Sequence, residues 1–88
     1  MGYKLKLVWD ANKSVQCLQN RGFDFGYASR IFDDPLCVTI EDRRRDYGES
    51  RLMTFGCIEH RVFVVISTRR GDRVRIISAR KANRREVN

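Results

Sequence analysis

The sequence predicts an α+β fold: two N-terminal helices packed on one face of a mainly antiparallel sheet of about five strands, with a short C-terminal helix stub. Three observations predict it. The spacing of apolar residues changes from about 3.6 to 2 after Pro35, so helices precede it and strands follow. The four later apolar runs are joined by short polar links, which suits an antiparallel meander. One further alternating run precedes the helices, and the 88 residues suffice for a single domain over the whole chain.

Tyr3 to Trp9 reads as the first strand, with Tyr3, Leu5, Leu7 and Trp9 alternating against Lys4, Lys6 and Val8. Trp9 closes that alternation and is expected in the core. Asp10 is placed to cap the following helix, whose apolar face is read from Ala11, Val15 and Leu18. Asn20-Arg21-Gly22 ends it, with Gly22 free to turn left-handed. Asp24 caps a second helix, with Phe23 and Ala28 at hydrophobic-staple positions and Ala28, Ile31 and Phe32 on its apolar face. Asp33-Asp34-Pro35 stops it, because the residue before a proline leaves the helical region.

Leu36, Val38 and Ile40 alternate with Cys37 and Thr39, as in a half-buried strand. A charged loop covers Glu41 to Ser50. Leu52 to Ile58 is the next strand, and Glu59-His60 a tight connection into Val62 to Ile66. That run is apolar on both faces and reads as a central strand. Arg70-Gly71-Asp72 is a turn into Val74 to Ala79. In the tail, Asn83-x-x-Glu86 has the form of a capping box and starts a helix too short to be stable alone.

Eighteen Lys and Arg face eleven Asp and Glu, a formal charge of +7. The excess favours a polyanionic partner: RNA, DNA, an acidic protein or an anionic membrane. Most of it is arginine, which grips phosphate in bidentate fashion and keeps its charge when partly desolvated. No apolar run approaches membrane-spanning length and no signal-like start is visible, so a cytoplasmic protein without membrane attachment is expected. Cys17, Cys37 and Cys57 are odd in number and well separated, so buried reduced thiols are expected rather than disulfides. Cys57 and His60 have ligand-like spacing but are the sole clustered pair, whereas zinc usually takes four ligands; neither a metal nor a cofactor is expected.

Four segments carry a resemblance. They are Trp9-Asp10-Ala11-Asn12-Lys13, Phe32-Asp33-Asp34-Pro35, Glu49-Ser50-Arg51 leading to Gly56, and Asp72 to Ala82 followed by Arg84-Arg85-Glu86. In order and spacing they resemble the BrnT family, whose compact fold is similar to RelE-type toxins. The resemblance implies a bacterial RNA-cleaving toxin that inhibits translation. It also implies a BrnA-like antitoxin similar to ribbon-helix-helix DNA-binding proteins, in a two-toxin, two-antitoxin assembly. That complex would repress its own promoter, so operator DNA is touched only through the antitoxin. The chain departs from the family in having Asn20-Arg21-Gly22 where Lys-His-Gly is usual, Ser67 where many have His, and little helix after Arg-Arg-Glu. A histidine acid–base role is therefore not carried over to those positions.

RNA cleavage through the ribose 2′-hydroxyl needs help for the attack on phosphorus, positive donors for the charge that develops, and a proton for the leaving oxygen. The sequence is rich in the second. Arg51, Arg75 and Arg80 lie on or beside predicted strands and match basic family positions, so they form the expected phosphate clamp, with Lys81 beside them as a candidate proton handler. On a regular strand Arg75 and Arg80, five apart, face opposite sides; a shared site requires the strand to end or bulge near Ala79. The bland alternative is that these arginines are solvated or paired with carboxylates. Imidazole changes charge near neutral pH, but His60 sits in a hairpin tip, where an idle histidine is commoner. Lys13 is a further proton handler, and Glu49 is either a base or an arginine partner. Arg44 and Arg45, within Arg43-Arg44-Arg45, are candidate RNA contacts, with Tyr47 to stack on a base. Arg84 and Arg85 are further candidates for RNA phosphate or an acidic antitoxin patch. The same inventory fits a non-catalytic nucleic-acid-binding module, or an inactivated toxin within a repressor complex.

Overall fold

The computed structural model describes residues 6–43 and 48–87. Strand β1 (Lys6–Trp9) leads into helix α1 (Ala11–Arg21). Asp10 caps the helix as expected: its Oδ1 accepts from the Asn12 and Lys13 amides at 2.8 and 3.1 Å. Gly22 ends it with φ +87°, and its amide donates to the Leu18 carbonyl. Asp24 then caps α2 (Phe25–Ala28) by accepting from the Tyr27 amide at 2.8 Å. The second helix is not one α-helix to Phe32. After a single turn it tightens into a 3-10 helix, Ser29–Asp33. The Ser29 hydroxyl donates back to the Gly26 carbonyl at 2.7 Å, a local bond that competes with regular helix propagation. Asp34, before Pro35, is already extended.

Strands β2 (Val38–Glu41), β3 (Leu52–Ile58), β4 (Arg61–Arg70) and β5 (Arg73–Lys81) form the expected antiparallel meander. Helix α3 (Arg84–Val87) follows. The sheet order is β1-β5-β4-β3-β2, and β1 runs parallel to β5, pairing Lys6 with Arg73 through Trp9 with Ile76. The sheet is therefore mixed. The helices carry the chain from β1 to the far edge, and the meander walks back until its last strand lies beside the first.

The faces differ. Cys17, Phe23, Phe25, Ala28 and Ile31 from the helical layer pack on Ile58, Phe63, Val65, Ile76 and Ala79. The Phe23 and Phe63 rings meet edge to face with centroids 5.0 Å apart. Gly56 lies directly beneath Ile31: a Cβ there would stand 2.6 Å from Ile31 Cβ. The opposite face holds a smaller cluster of Met53, Val64 and Ile66 with Phe55 and Ala82, to which no residue of α1, α2 or the 3-10 helix contributes.

Several expectations are corrected. The stripe Ala11, Val15 and Leu18 faces outward, with Val15 50% and Leu18 48% exposed. Ser14 and Cys17 point inward instead, because small polar side chains let α1 approach closely while serving backbone groups. Ser14 Oγ accepts from the Phe25 amide at 3.0 Å, and Cys17 Sγ donates to the Ala79 carbonyl at 3.6 Å. Strand β2 is exposed along its length rather than half-buried, since it is the free edge of the sheet, and Leu36 lies outside it. Trp9, on the opposite edge strand, keeps 36% of its surface exposed and is not a core residue. The cysteines are free, but of the three only Cys17 is buried; Cys37 is half-buried and Cys57 exposed. Among the described residues, no helix is long and apolar enough to cross a membrane.

Candidate nucleic-acid interface

The β4–β5 ladder is regular from Phe63–Lys81 to Ile66–Ser78, then resumes at Ser67–Ile76. Ile77 thus faces no residue of β4 and forms a β-bulge, which reverses the facing of β5 on one side of it. Arg75 pairs with Thr68 and Arg80 with Val64. Thr68 and Val64 alternate with the helix-facing Phe63, Val65 and Ser67, so both arginines belong to the face opposite α1 and α2. Their partners are four residues apart on β4, roughly 13 Å along the sheet.

Arg51 joins them. The Asp42 amide donates to the Arg51 carbonyl at 2.7 Å, extending the β2–β3 ladder by one residue beyond Glu41–Leu52. By alternation Arg51 shares the face of Met53 and Phe55. The neighbouring Ser50 carbonyl accepts from the buried Thr68 hydroxyl at 2.8 Å, tying this end of β3 to the row that holds Arg75. The three arginines of the expected clamp therefore lie on one face, on strand backbone fixed by the ladder.

Carboxylates hold two of them. Glu49 Oε2 lies 3.8 Å from Arg51 Nε, and its Oε1 accepts from Arg70 at 3.2 Å. Glu49 is thus an arginine partner here. Arg80 makes an end-on fork with Glu86, Nη1 to Oε1 at 2.6 Å and Nη2 to Oε2 at 2.8 Å. Among the described residues, Arg75 has no carboxylate at ion-pair distance.

The other candidates separate. Lys81 pairs with Phe63 and so lies on the helix-covered face. There it lines a shallow groove with Arg21, Arg61, Tyr27 and Phe63, and it is not grouped with Arg80. His60 is exposed at the β3–β4 hairpin with φ +70°, and Lys13 is exposed on α1. Arg84 and Arg85 are exposed on α3, next to the Arg80–Glu86 fork. Arg44, Arg45 and Tyr47 lie outside the described residues. The basic groove of Arg21 and Arg61 was not anticipated; the residues come from different elements, and no local pattern joins them.

Asp34 and Cys17 are shifted from their ordinary values. Asp34 Oδ1 accepts from the Leu36 amide at 2.9 Å and its Oδ2 from the Cys57 amide at 2.8 Å, which holds its carboxyl below the ordinary carboxylate range. Burial pushes the Cys17 thiol up, with nearby Arg21 opposing and Asp24 adding. Neither lies among the three arginines.

Comparison with known families gives a match over residues 9–86 to a model described as ribonuclease toxin, BrnT, of type II toxin-antitoxin system. A search of curated proteins finds no match.

Proposed function

The chain belongs to the BrnT family of type II ribonuclease toxins, and from that premise we propose that it is an endoribonuclease whose phosphate clamp is Arg51, Arg75 and Arg80. The observation that carries this reading is the shared face created by the bulge at Ile77. Three guanidinium groups on rigid strands suit a reaction whose main demand is stabilisation of charge on phosphorus. The attacking group is the substrate's own 2′-hydroxyl, which makes RNA and not DNA the substrate. Cleavage is metal-independent and leaves a 2′,3′-cyclic phosphate and a free 5′-hydroxyl. Glu49 and Glu86 are both engaged by arginines of the clamp, so in this reading the site works chiefly by positioning and electrostatics.

In the cell, this reading gives a cytoplasmic, RelE-like, single-domain toxin that inhibits translation. A BrnA-like ribbon-helix-helix antitoxin neutralises it in a heterotetramer and brings the complex to operator DNA. The net charge of +7 supports affinity for RNA phosphate.

The test is incubation of the purified chain with labelled RNA and DNA in EDTA, beside Arg80→Ala. Loss of RNA alone, with cyclic phosphate ends and none in the variant, is expected. RNA bound but intact, together with harmless expression in cells, would overturn the catalytic reading in favour of a binding subunit. Cleavage by Arg80→Ala at the wild-type rate would overturn the assignment of the clamp.

A further inference from the structure

Arg80 and Lys81 are consecutive at the end of β5, and they pair with Val64 and Phe63, so their side chains leave opposite faces of the sheet. Arg61 stands two residues before Phe63 on β4 and by alternation shares the face of Lys81. Arg21, from the last turn of α1, joins them there. These three cations, contributed by three elements, line a groove of about 640 Å³, within the size range of ligand clefts. All three are exposed, and among the described residues none has a carboxylate at ion-pair distance.

Two carboxylates also line the groove, and both are engaged. Glu59 accepts from Arg30 and from the Tyr27 hydroxyl, each at 3.4 Å, and Asp24 caps α2 through the Tyr27 amide. The aromatic floor is engaged as well. Phe63 is buried and meets the Phe23 and Tyr27 rings edge to face, with centroids 5.0 and 5.8 Å away. The Arg30 guanidinium lies 5.2 Å from the centre of the Tyr27 ring. The groove thus presents cations with little ring surface for a stacking base, which suits a backbone phosphate rather than a nucleobase. We propose that it is a second phosphate subsite: a single RNA strand on the clamp face continues round the end of β5 and places further phosphodiesters among Arg21, Arg61 and Lys81. The inference rests on the reading of the chain as an RNA-binding ribonuclease, and it gives Lys81 a phosphate to hold instead of a proton to move.

Three such cations also suit an acidic protein segment, but continuity favours RNA. The groove begins where the clamp face ends, one residue along β5, and a strand with a charge at every nucleotide meets both without a break. The subsite therefore adds affinity without regard to base sequence. It adds it only for strands long enough to reach past the end of β5.

The experiment measures the affinity of the full chain against salt for 2′-O-methyl oligoribonucleotides, which cannot be cleaved through their 2′-oxygens. Two lengths are used, about four and about twelve nucleotides, spanning the site sizes of single-strand grooves. Wild type is compared with the triple variant Arg21→Gln, Arg61→Gln, Lys81→Gln. The control carries the same charge change at the opposite end of the sheet: Lys6→Gln, Arg69→Gln, Arg73→Gln. All six side chains are exposed, so both variants keep the fold. At about 0.7 per phosphate contact, the groove variant is expected to lower the slope of log affinity against log salt by about 2 for the longer strand. The shorter strand is expected to bind it as it binds wild type, and the control to match wild type at both lengths. An unchanged slope for the longer strand overturns the proposal and leaves the groove to an acidic protein partner. So does an equal loss at both lengths, or an equal loss in the control, which marks an effect of net charge alone. A wild type that binds both strands but leaves ordinary RNA uncut overturns the catalytic reading while the slopes still decide the groove. A wild type that neither binds nor cuts overturns both.

Discussion

Arg75 and Arg80 share one face of the sheet although five residues separate them on the same strand, because Ile77 between them is opposed by no residue of β4. On a regular strand the pair would be split across the sheet, one of them beneath the helices. The bulge brings arginines that a regular strand would separate onto one surface, where carboxylates pair with two of the three.

That relationship predicts which arginines RNA feels. Each phosphate contact with a single strand contributes about 0.7 to the slope of log affinity against log salt. Arg75→Ala and Arg80→Ala should each lower the slope by about that amount. Arg69, which lies with Ser67 and Val74 along a cavity on the other face, should not matter to it. Equal slopes for Arg69→Ala and Arg75→Ala in a filter-binding titration would mean that the shared face is not the RNA surface.

Gly56 is predicted to be intolerant of any side chain. A Cβ at that position meets Ile31 Cβ at 2.6 Å, with the Ile31 carbonyl oxygen at 3.0 Å and its Cα at 3.2 Å. Two of those three atoms are backbone, so rotamer change gives no relief. Overpacking of this kind costs about 1–3 kcal/mol. Gly56→Ala should lower the urea midpoint accordingly with an unchanged slope. A midpoint equal to wild type would show that the 3-10 helix can lift off β3 at no cost.

The thiols should differ in reactivity in the folded chain. Cys57 is exposed and Cys37 half-buried, whereas Cys17 donates to the Ala79 carbonyl and burial moves its ionisation to higher pH. A thiolate is the reactive form, so a disulfide reagent at mildly alkaline pH should label Cys57 first and Cys17 only on unfolding. The sign for stability follows. The unfolded chain releases the Cys17 proton at lower pH than the folded one, so stability falls as pH rises through the ordinary thiol range. Rapid labelling of Cys17 in folded protein would contradict the packing of α1 on β5.

The sequence made some of this legible and hid the rest for physical reasons. Asp10, Gly22, Asp24 and the Asn83–Glu86 box were readable because a cap is a contact between residues two to four apart. The meander was readable from its short links. The parallel pairing of β1 with β5 was not, since it joins residues nearly seventy positions apart in sequence, as in Lys6 with Arg73. The inward face of α1 was misread because hydrophobic periodicity ranks Val15 and Leu18 above Ser14 and Cys17. The close helix–sheet approach instead rewards small side chains with a polar atom to offer. At the site, arginine identities were legible and their faces were not: one unpaired residue, Ile77, decides them, and Lys81 falls on the other side for the same reason.

The last prediction concerns acid. Asp34 joins the end of the 3-10 helix to the sheet, with one oxygen on the Leu36 amide and the other on the Cys57 amide of β3. Those two backbone bonds, the Leu36 bond first, lower the pH at which it ionises, against an opposing desolvation. A carboxylate that ionises more readily folded than unfolded contributes stability that is present above the ordinary carboxylate range. It is lost as pH falls through the depressed value, because the unfolded chain takes up the proton first. An Asn at this position can still accept from an amide but carries no charge and does not titrate. Asp34→Asn should therefore be less stable than wild type at neutral pH, and the gap should close as the solution is taken to strongly acid pH. The check is urea unfolding of both chains at several pH values. A gap that stays constant with pH would assign the loss to hydrogen-bond geometry alone, and no gap at neutral pH would mean that the Asp34–Cys57 tie does not hold the helical layer to β3.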